Sequence, residues 1–337
     1  MTVSSKKILV TGAGGFIGSH LCEQLVKDGN QVRAFVHYNS NGSWGWLDQS
    51  KIRDQIEVVS GDLRDSDSVQ GAIDGMDQVY HLGALIGIPY SYVSPLAYLK
   101  TNIEGTYNVL ESSRRSGKVS KVLITSTSEV YGTALYTPID EKHPMQPQSP
   151  YSATKIAADQ LSLSYFNSFN TPVVIGRPFN TFGPRQSARA IIPTIITQFL
   201  AWQRNPQGKV PTITVGNTDP TRDLTYVEDT ALGLIKIANT EKFVGTAVNI
   251  GVGKTVSVAD LIQKIARLMK FERVEVVQTE QRKRPEKSEV MVLLSNNSNL
   301  KANSNWAETH TLEQGLEKTI AFLDKNLELY RPTHYSI

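Results

Sequence analysis

Short runs of apolar, mostly β-branched residues recur along the chain and alternate with longer stretches of helical periodicity. Apolar runs this continuous are typical of parallel strands whose sheet is covered by helices on both faces. The pattern therefore predicts an α/β fold built on a doubly wound parallel sheet. The predicted strands are 8–10, 32–36, 56–59, 79–82, 122–124, 173–175 and 247–250.

The pattern changes after residue 178, where Pro, Gly and Asn interrupt residues 180–220. Helical periodicity returns at 191–202 and 258–269. We therefore expect two units: a sheet domain of residues 1–178 with about 224–250, and a smaller interleaved C-terminal lobe. That lobe consists of residues 179–223 and 251–337.

Composition narrows the class of protein. The 337 residues include 35 basic and 32 acidic side chains, so the formal charge is only +3. So small an excess of positive charge does not indicate a nucleic-acid-binding protein. No stretch is apolar for long enough to span a bilayer, and the first strand begins too early to leave room for a signal segment. A cytoplasmic protein is expected, without a membrane partner. Its single cysteine, Cys22, excludes an intrachain disulfide, and no metal site is predicted.

A glycine-rich turn joins the first predicted strand to a helix. Gly12, Gly15 and Gly18 supply the tight turn and close backbone approach that residues with a Cβ do not allow. Phe16 and Ile17 open the helix, whose free N–H groups attract phosphates. The motif predicts a Rossmann-type site for NAD or NADP.

Other cofactor contacts are expected at the carboxyl ends of neighbouring strands, where such sheets bind ligands. Asp62 and Leu63 follow the third strand, where a carboxylate can meet the adenine amino group. Leu82 and Ala84 follow the fourth strand, beside the expected path of the cofactor.

The end of the second strand lacks the acidic residue that usually holds the ribose 2′-hydroxyl. His37 and Asn39 occupy this region instead, and Arg33 lies within the strand rather than at its end. NADP therefore stays open beside NAD, which we favour slightly.

A tyrosine and a lysine follow the fifth strand at a spacing suited to redox chemistry. Ser149 and Pro150 favour a helix start, which puts Tyr151 and Lys155 one turn apart on the same face. A lysine ammonium near the phenol is expected to lower the pKa of Tyr151 and let it take a proton from a sugar hydroxyl.

With these motifs the chain resembles the extended short-chain dehydrogenases/reductases of the nucleotide-sugar epimerase and dehydratase family, over residues 6–325. The resemblance implies that Thr127 binds the substrate hydroxyl, Tyr151 is the base and Lys155 activates it. It also places Asn102 near the nicotinamide, assigns the sheet domain to NAD(P), and assigns the second lobe to a nucleotide sugar.

Glu129 distinguishes reactions within this family. By the resemblance, 4-epimerases usually carry a small residue there, whereas 4,6-dehydratases carry a glutamate that removes the C5 proton of a 4-keto intermediate. Dehydratases acting on dTDP-glucose have Thr-Asp-Glu, but this chain has Thr127-Ser128-Glu129. The acid for loss of the C6 hydroxyl therefore stays open between Ser128, acting through water, and Glu129.

The substrate site is expected around four residues of the second lobe. By the resemblance, Asn180 lies near the diphosphate and Arg222 contacts it. Arg185 and Arg284 are further candidates, since guanidinium groups pair with phosphate oxygens as a rigid fork.

Three segments are similar to one subgroup, the dehydratases of legionaminic-acid biosynthesis, which act on GDP-N-acetylglucosamine. These segments are residues 36–48, 85–92 and 284–290. The base of the nucleotide is implied by the resemblance alone, so UDP-N-acetylglucosamine stays open.

The sequence thus favours a nucleotide-sugar 4,6-dehydratase. A uronate decarboxylase shares Thr-Ser-Glu but needs an arginine for the C6 carboxylate, and Glu129 disfavours a 4-epimerase. A catalytically silent dinucleotide-binding scaffold or redox sensor has no reason to keep Tyr151, Lys155, Thr127 and Glu129. The family usually pairs through helices that here cover 95–115 and 151–168, so a homodimer is expected.

Overall fold

The computed structural model describes residues 5–280 and 290–330. Its strands are β1 Lys7–Thr11, β2 Gln31–His37, β3 Glu57–Gly61, β4 Gln78–His81, β5 Lys121–Thr125, β6 Val173–Pro178, β7 Asn180–Phe182, β8 Thr212–Val215, β9 Thr221–Tyr226, β10 Ala247–Ile250, β11 Thr255–Ser257, β12 Glu275–Gln278 and β13 Val292–Leu293. Seven of them form one parallel sheet in the order β10-β6-β5-β4-β1-β2-β3. All seven predicted strands lie in it, so the predicted fold is confirmed.

Helices pack on both faces of this sheet and in a second core outside it. They are α1 Phe16–Lys27, α2 Ser66–Ile73, α3 Ile88–Val93, α4 Pro95–Tyr98, α5 Gly105–Ser116, α6 Pro150–Phe169, α7 Ile191–Arg204, α8 Val227–Ala238, α9 Val258–Leu268, α10 Ser298–Ser304, α11 Leu312–Lys325 and α12 Leu327–Tyr330. Successive strand residues point to opposite faces. Leu9 therefore packs in one core with Val109 of α5, and Val10 in the other with Leu234 of α8.

A second core lies outside the large sheet. Helices α7, α9 and α11 pack around Phe199, Ile262 and Leu316, next to a sheet of β11, β9 and β13 with β7 beside β9. The helices predicted at 191–202 and 258–269 are present as α7 and α9. The proposed domain boundaries remain a prediction.

The helix predicted over residues 95–115 is present, but it is not an α-helix throughout. The segment begins as α4, widens into a π-helix at Leu99–Glu104, and returns to an α-helix at α5. Such wide turns occur mostly at functional sites. Asn102 lies in this turn, buried, with its side chain bonded to backbone outside the helix. Nowhere in residues 5–280 and 290–330 is there a helix that meets the length and apolarity needed to cross a membrane.

Candidate active site

A cavity of about 820 Å³ opens at the carboxyl ends of the central strands. This is the edge at which doubly wound sheets bind ligands. The cavity is continuous from the glycine turn to the predicted catalytic group, so both lie in one site. Its lining includes the predicted residues Gly12, Gly15, Phe16, Ile17, Gly18, His37, Asn39, Leu82, Ala84, Thr127, Glu129, Tyr151 and Lys155.

The glycine turn fits a dinucleotide diphosphate. Gly12 has φ +66°, a left-handed conformation that favours glycine. A Cβ on Gly18 would lie 2.2 Å from the carbonyl oxygen of Gly12. Gly15 caps α1 without a side-chain hydrogen bond, which leaves the first N–H groups of the helix for an anion.

Replacing Gly18 by alanine is expected to weaken NAD binding. The new methyl group must push the Gly12 carbonyl away, and overpacking of this kind costs about 1–3 kcal/mol. If that cost falls on the bound state, Kd rises roughly 10- to 100-fold. Isothermal titration calorimetry measures the change. Gly71→Ala is the matched control, because a Cβ on Gly71 meets nothing within 4 Å; equal affinities would contradict the assignment.

The adenosine end of the cavity is formed by the loop after β2. His37 and Asn39 line it, and the Asn39 side chain bonds to the backbone of Ser43 through both its oxygen and its nitrogen. The backbone N–H of Trp46 donates to the Gly14 carbonyl at 3.0 Å. The loop is therefore fixed against the glycine turn.

Asp62 is engaged by a neighbour. The Nε of Arg64 donates to Asp62 Oδ1 at 2.9 Å, and this bonding lowers the pKa of Asp62 to about 2. The carboxylate stays charged beside His37, although Asp62 is not among the residues lining the cavity. Leu63 also lies outside it, packed beneath Gly83 and Gly105.

Two buried polar residues fix the backbone beside the expected cofactor path. Asn102 accepts from the Leu85 N–H at 2.8 Å and donates to the Leu85 carbonyl and to Thr154 on α6. His81 bridges Thr11 and Thr106, at 2.8 and 3.1 Å. Burial lowers the pKa of His81 to about 3, so this link between β1 and α5 is neutral. Asn102 therefore fixes the backbone of Leu85, and it is not among the residues lining the cavity.

Four of the five predicted catalytic residues, Thr127, Glu129, Tyr151 and Lys155, line the same cavity. Ser149 and Ser152 form a capping box at the start of α6, which presents Tyr151 and Lys155 to the cavity. Lys155 Nζ donates to the Thr125 carbonyl at 2.7 Å. Thr127 caps the short turn Ser128–Tyr131 by accepting from the Glu129 N–H at 3.2 Å. The turn brings Glu129 into the same cavity.

The protonation of Tyr151 differs from the expectation. Burial raises the pKa of Tyr151, and the nearby Glu129 raises it further, while a hydrogen bond with Thr127 opposes the rise. Burial also lowers the pKa of Lys155. In the protein alone the phenol is therefore protonated at neutral pH.

Of the remaining predicted residues that the structure describes, none is among those lining the cavity. Ser128 is buried, and Asn180, at the start of β7, has a side-chain oxygen that is buried without a hydrogen-bond partner. Arg185 is paired with Glu23 of α1 at 2.7 Å, and Arg222 donates to the Thr221 carbonyl at 3.0 Å. Arg284 lies outside the described residues.

Sequence reasoning missed residues on two sides of the site. Ile86, Ile88, Gln186 and Ser187 line the cavity, but no motif marks them individually. Asp159 and Arg177 form a buried ion pair close to Lys155. Asp159 could have been found from the sequence, because its spacing from Lys155 puts both residues on one face of a helix, one turn apart.

Comparisons with known proteins agree with this geometry. The family model described as GDP-mannose 4,6 dehydratase matches residues 9–319. UDP-glucuronic acid decarboxylase 1 of Xenopus tropicalis is 30% identical over 335 residues, covering 96% of this chain and 73% of that protein. Human dTDP-D-glucose 4,6-dehydratase is 30% identical over 270 residues, and the match covers 79% of this chain and 75% of that protein.

A solved structure extends the likeness to three dimensions. UDP-glucuronic acid 4-epimerase from Bacillus cereus, in complex with UDP-glucuronic acid and NAD, superposes with a TM-score of 0.82 at 29% identity. The match covers 95% of this chain and 99% of that one.

The chain therefore belongs to the GDP-mannose 4,6-dehydratase family of nucleotide-sugar dehydratases, epimerases and decarboxylases. It is an enzyme of this NAD-dependent class, and NAD is the cofactor of the family. The resemblance found in the sequence is confirmed at this level.

Proposed function

We propose that the protein is a nucleotide-sugar 4,6-dehydratase. The single observation that carries the proposal is the presence of Glu129 in the same cavity as Tyr151, Lys155 and Thr127. Oxidation of a hydroxyl needs only the last three. A carboxylate beside them supplies a second proton-transfer group for the same sugar.

When bound in this cavity, NAD would supply the hydride acceptor for oxidation at C4 and the hydride donor for C6. The oxygen of Tyr151 takes the proton of the C4 hydroxyl, which Thr127 orients by hydrogen bonding. Lys155, held on the Thr125 carbonyl, favours the phenolate. The positive charge of Lys155 opposes the burial that keeps Tyr151 protonated in the protein alone.

Glu129 acts in the second step. A keto group at C4 acidifies the C5 proton, and the Glu129 carboxylate takes that proton while the C6 hydroxyl leaves. Ser128 is buried and is not among the residues lining the cavity. We therefore favour Glu129, protonated by the first transfer, as the donor that releases the C6 oxygen as water. When hydride adds at C6, a proton taken up from solvent completes C5.

The proposed substrate is GDP- or UDP-N-acetylglucosamine. Three segments resemble the dehydratases of legionaminic-acid biosynthesis. The first, the loop after β2, packs on the glycine turn, so its resemblance concerns the cofactor site rather than the sugar. The segment at 85–92 is more informative about the sugar, because Ile86 and Ile88 line the cavity beside Ser187. The third segment, 284–290, lies outside the described residues except for Val290.

Incubation of the purified protein with GDP- and UDP-N-acetylglucosamine tests the proposal. Mass spectrometry should find a product lighter by one water molecule. Epimerisation without a change in mass would contradict the proposal.

A nucleotide-uronate decarboxylase is the second candidate, favoured by the relative from Xenopus tropicalis. This reaction needs a cation for the C6 carboxylate, and Arg189 lies between the lining residues Ser187 and Ala190 in sequence without lining the cavity itself. Loss of carbon dioxide from a UDP-uronate would establish this alternative in place of dehydration.

We also propose a homodimer formed through the π-helix, α4, α5 and α6. Leu96, Leu99 and Tyr107 are exposed there, at 61%, 48% and 43%. Leu110 of α5 and Tyr165 of α6, which are apolar residues of the same helices, are instead buried within the protomer. Clustered apolar exposure of this kind is typical of an interface.

Light scattering after size exclusion should give the mass of a dimer, and the variant Leu96→Glu/Leu99→Glu should give a monomer. Leu329→Glu is the control, because Leu329 is 60% exposed on α12, away from this surface. A monomeric wild-type protein would refute the proposal.

A further inference from the structure

Three charged side chains are buried together beside the catalytic tyrosine. Lys155, Asp159 and Arg177 are 4%, 0% and 3% exposed. Lys155 and Asp159 lie one turn apart on α6, and Arg177 comes from β6. Both Nε and Nη2 of Arg177 lie 3.0 Å from the same oxygen, Oδ2 of Asp159.

The guanidinium of Arg177 is fixed from its other side as well. Its Nη1 donates to the Tyr131 hydroxyl at 3.0 Å, and that hydroxyl donates to Asn249 Oδ1 at 2.7 Å. Its Cζ also lies 5.2 Å from the centroid of the Tyr131 ring. Tyr131 and Asn249 are fully buried, so Arg177 is held in one orientation toward Asp159.

The carboxylate of Asp159 opposes catalysis unless it is balanced. Burial raises the pKa of Asp159 above its ordinary value, and the charge of Arg177 is the largest influence that opposes this rise. A charged Asp159 raises the pKa of Tyr151 directly, and by attracting the Lys155 ammonium it raises the pKa of Lys155 as well. An unbalanced carboxylate one turn from Lys155 would therefore make the phenolate harder to form.

We propose that Arg177 is a positioning residue for catalysis, which neutralises Asp159 inside the protein so that the positive charge of Lys155 acts on Tyr151. The inference rests on the proposed function only in taking Tyr151 as the base. It accounts for a buried ion pair whose two residues are not among those lining the cavity and that the reaction steps do not otherwise use.

Other titratable groups face this set and stay unchanged in the test. Glu129 on the turn after β5 and Tyr98 on α4 act on Tyr151. The charge of Lys155 contributes to the lowered pKa of the neutral His81 on β4. Glu141 acts on the Tyr131 hydroxyl that supports Arg177.

The test measures the ionisation of Tyr151 directly. Protein with tyrosine carbon-13 labelled at Cζ is saturated with NAD, and NMR gives the ratio of phenolate to phenol at one alkaline pH. The Tyr151→Phe variant assigns the signal. Adding or removing one charge near Tyr151 is expected to shift the pKa of its phenol by about one unit. At a fixed pH, the ratio of phenolate to phenol should therefore change about tenfold.

Asp159→Asn should raise the ratio about tenfold, Arg177→Met should lower it about tenfold, and Arg177→Lys should leave it near the wild-type value. The double variant Asp159→Asn/Arg177→Met should restore that value. Asparagine still accepts from Arg177, so Asp159→Asn decides the matter even if Arg177→Met does not fold. An unchanged or lower ratio in Asp159→Asn would overturn the proposal.

The same experiment separates this inference from the proposed function, because it uses no substrate. The predicted ratios with no loss of water from any nucleotide sugar would reject the dehydratase alone. Loss of water with unchanged ratios would reject the role of Arg177 alone.

Discussion

Replacing Tyr151 by phenylalanine is expected to lower turnover of the nucleotide sugar by roughly 10³-fold or more, because the C4 hydroxyl loses the base that takes its proton. The phenol is buried against Thr127, so removal of one oxygen leaves the packing of α6 intact. Steady-state kinetics measure the loss, and calorimetry should find NAD binding retained.

Tyr90→Phe is the matched control for this prediction. Tyr90 is 41% exposed on α3 and is not among the residues lining the cavity, although its ring lies 6.2 Å from that of Tyr98. Its turnover should equal that of the wild type. Full activity of Tyr151→Phe would remove the assigned base from the mechanism.

Glu129→Gln is expected to separate the two halves of the reaction. The amide cannot accept the C5 proton, so loss of water should slow by roughly 10²- to 10⁴-fold. Tyr151, Lys155 and Thr127 are unchanged, and oxidation at C4 should continue. Mass spectrometry of quenched reactions should then find a nucleotide sugar that has lost two hydrogens and retained its C6 oxygen.

Glu272→Gln controls for the loss of a carboxylate, since Glu272 is exposed between α9 and β12. Its product should match that of the wild type. Normal dehydration by Glu129→Gln would show that another group removes the C5 proton, and the choice of dehydration over epimerisation would lose its support.

The large sheet was predictable because its strands are apolar without interruption, a pattern set by burial on both faces. The glycine turn and the pair Tyr151/Lys155 were predictable because each is a local motif whose spacing decides its geometry. These local motifs meet in one cavity, since each follows a strand whose carboxyl end reaches the same edge of the sheet.

Contacts between distant residues were not predictable from the sequence. Arg185 pairs with Glu23 across 162 positions, although its motif suggested phosphate. Asn102 turns onto the backbone of Leu85, inside a π-helix that periodicity reads as α-helix. The ionisation of Tyr151 depends on burial, which spacing along α6 does not reveal.

Transfer of deuterium within the substrate tests the central claim most directly. GDP-N-acetylglucosamine labelled at C4 is incubated with the NAD-loaded enzyme, with the UDP form in parallel, and the product is analysed by mass spectrometry and NMR. The account predicts a 4-keto product that has lost one water molecule and carries the deuterium at C6. Deuterium that stays at C4 in a product of unchanged mass would contradict it and indicate an epimerase.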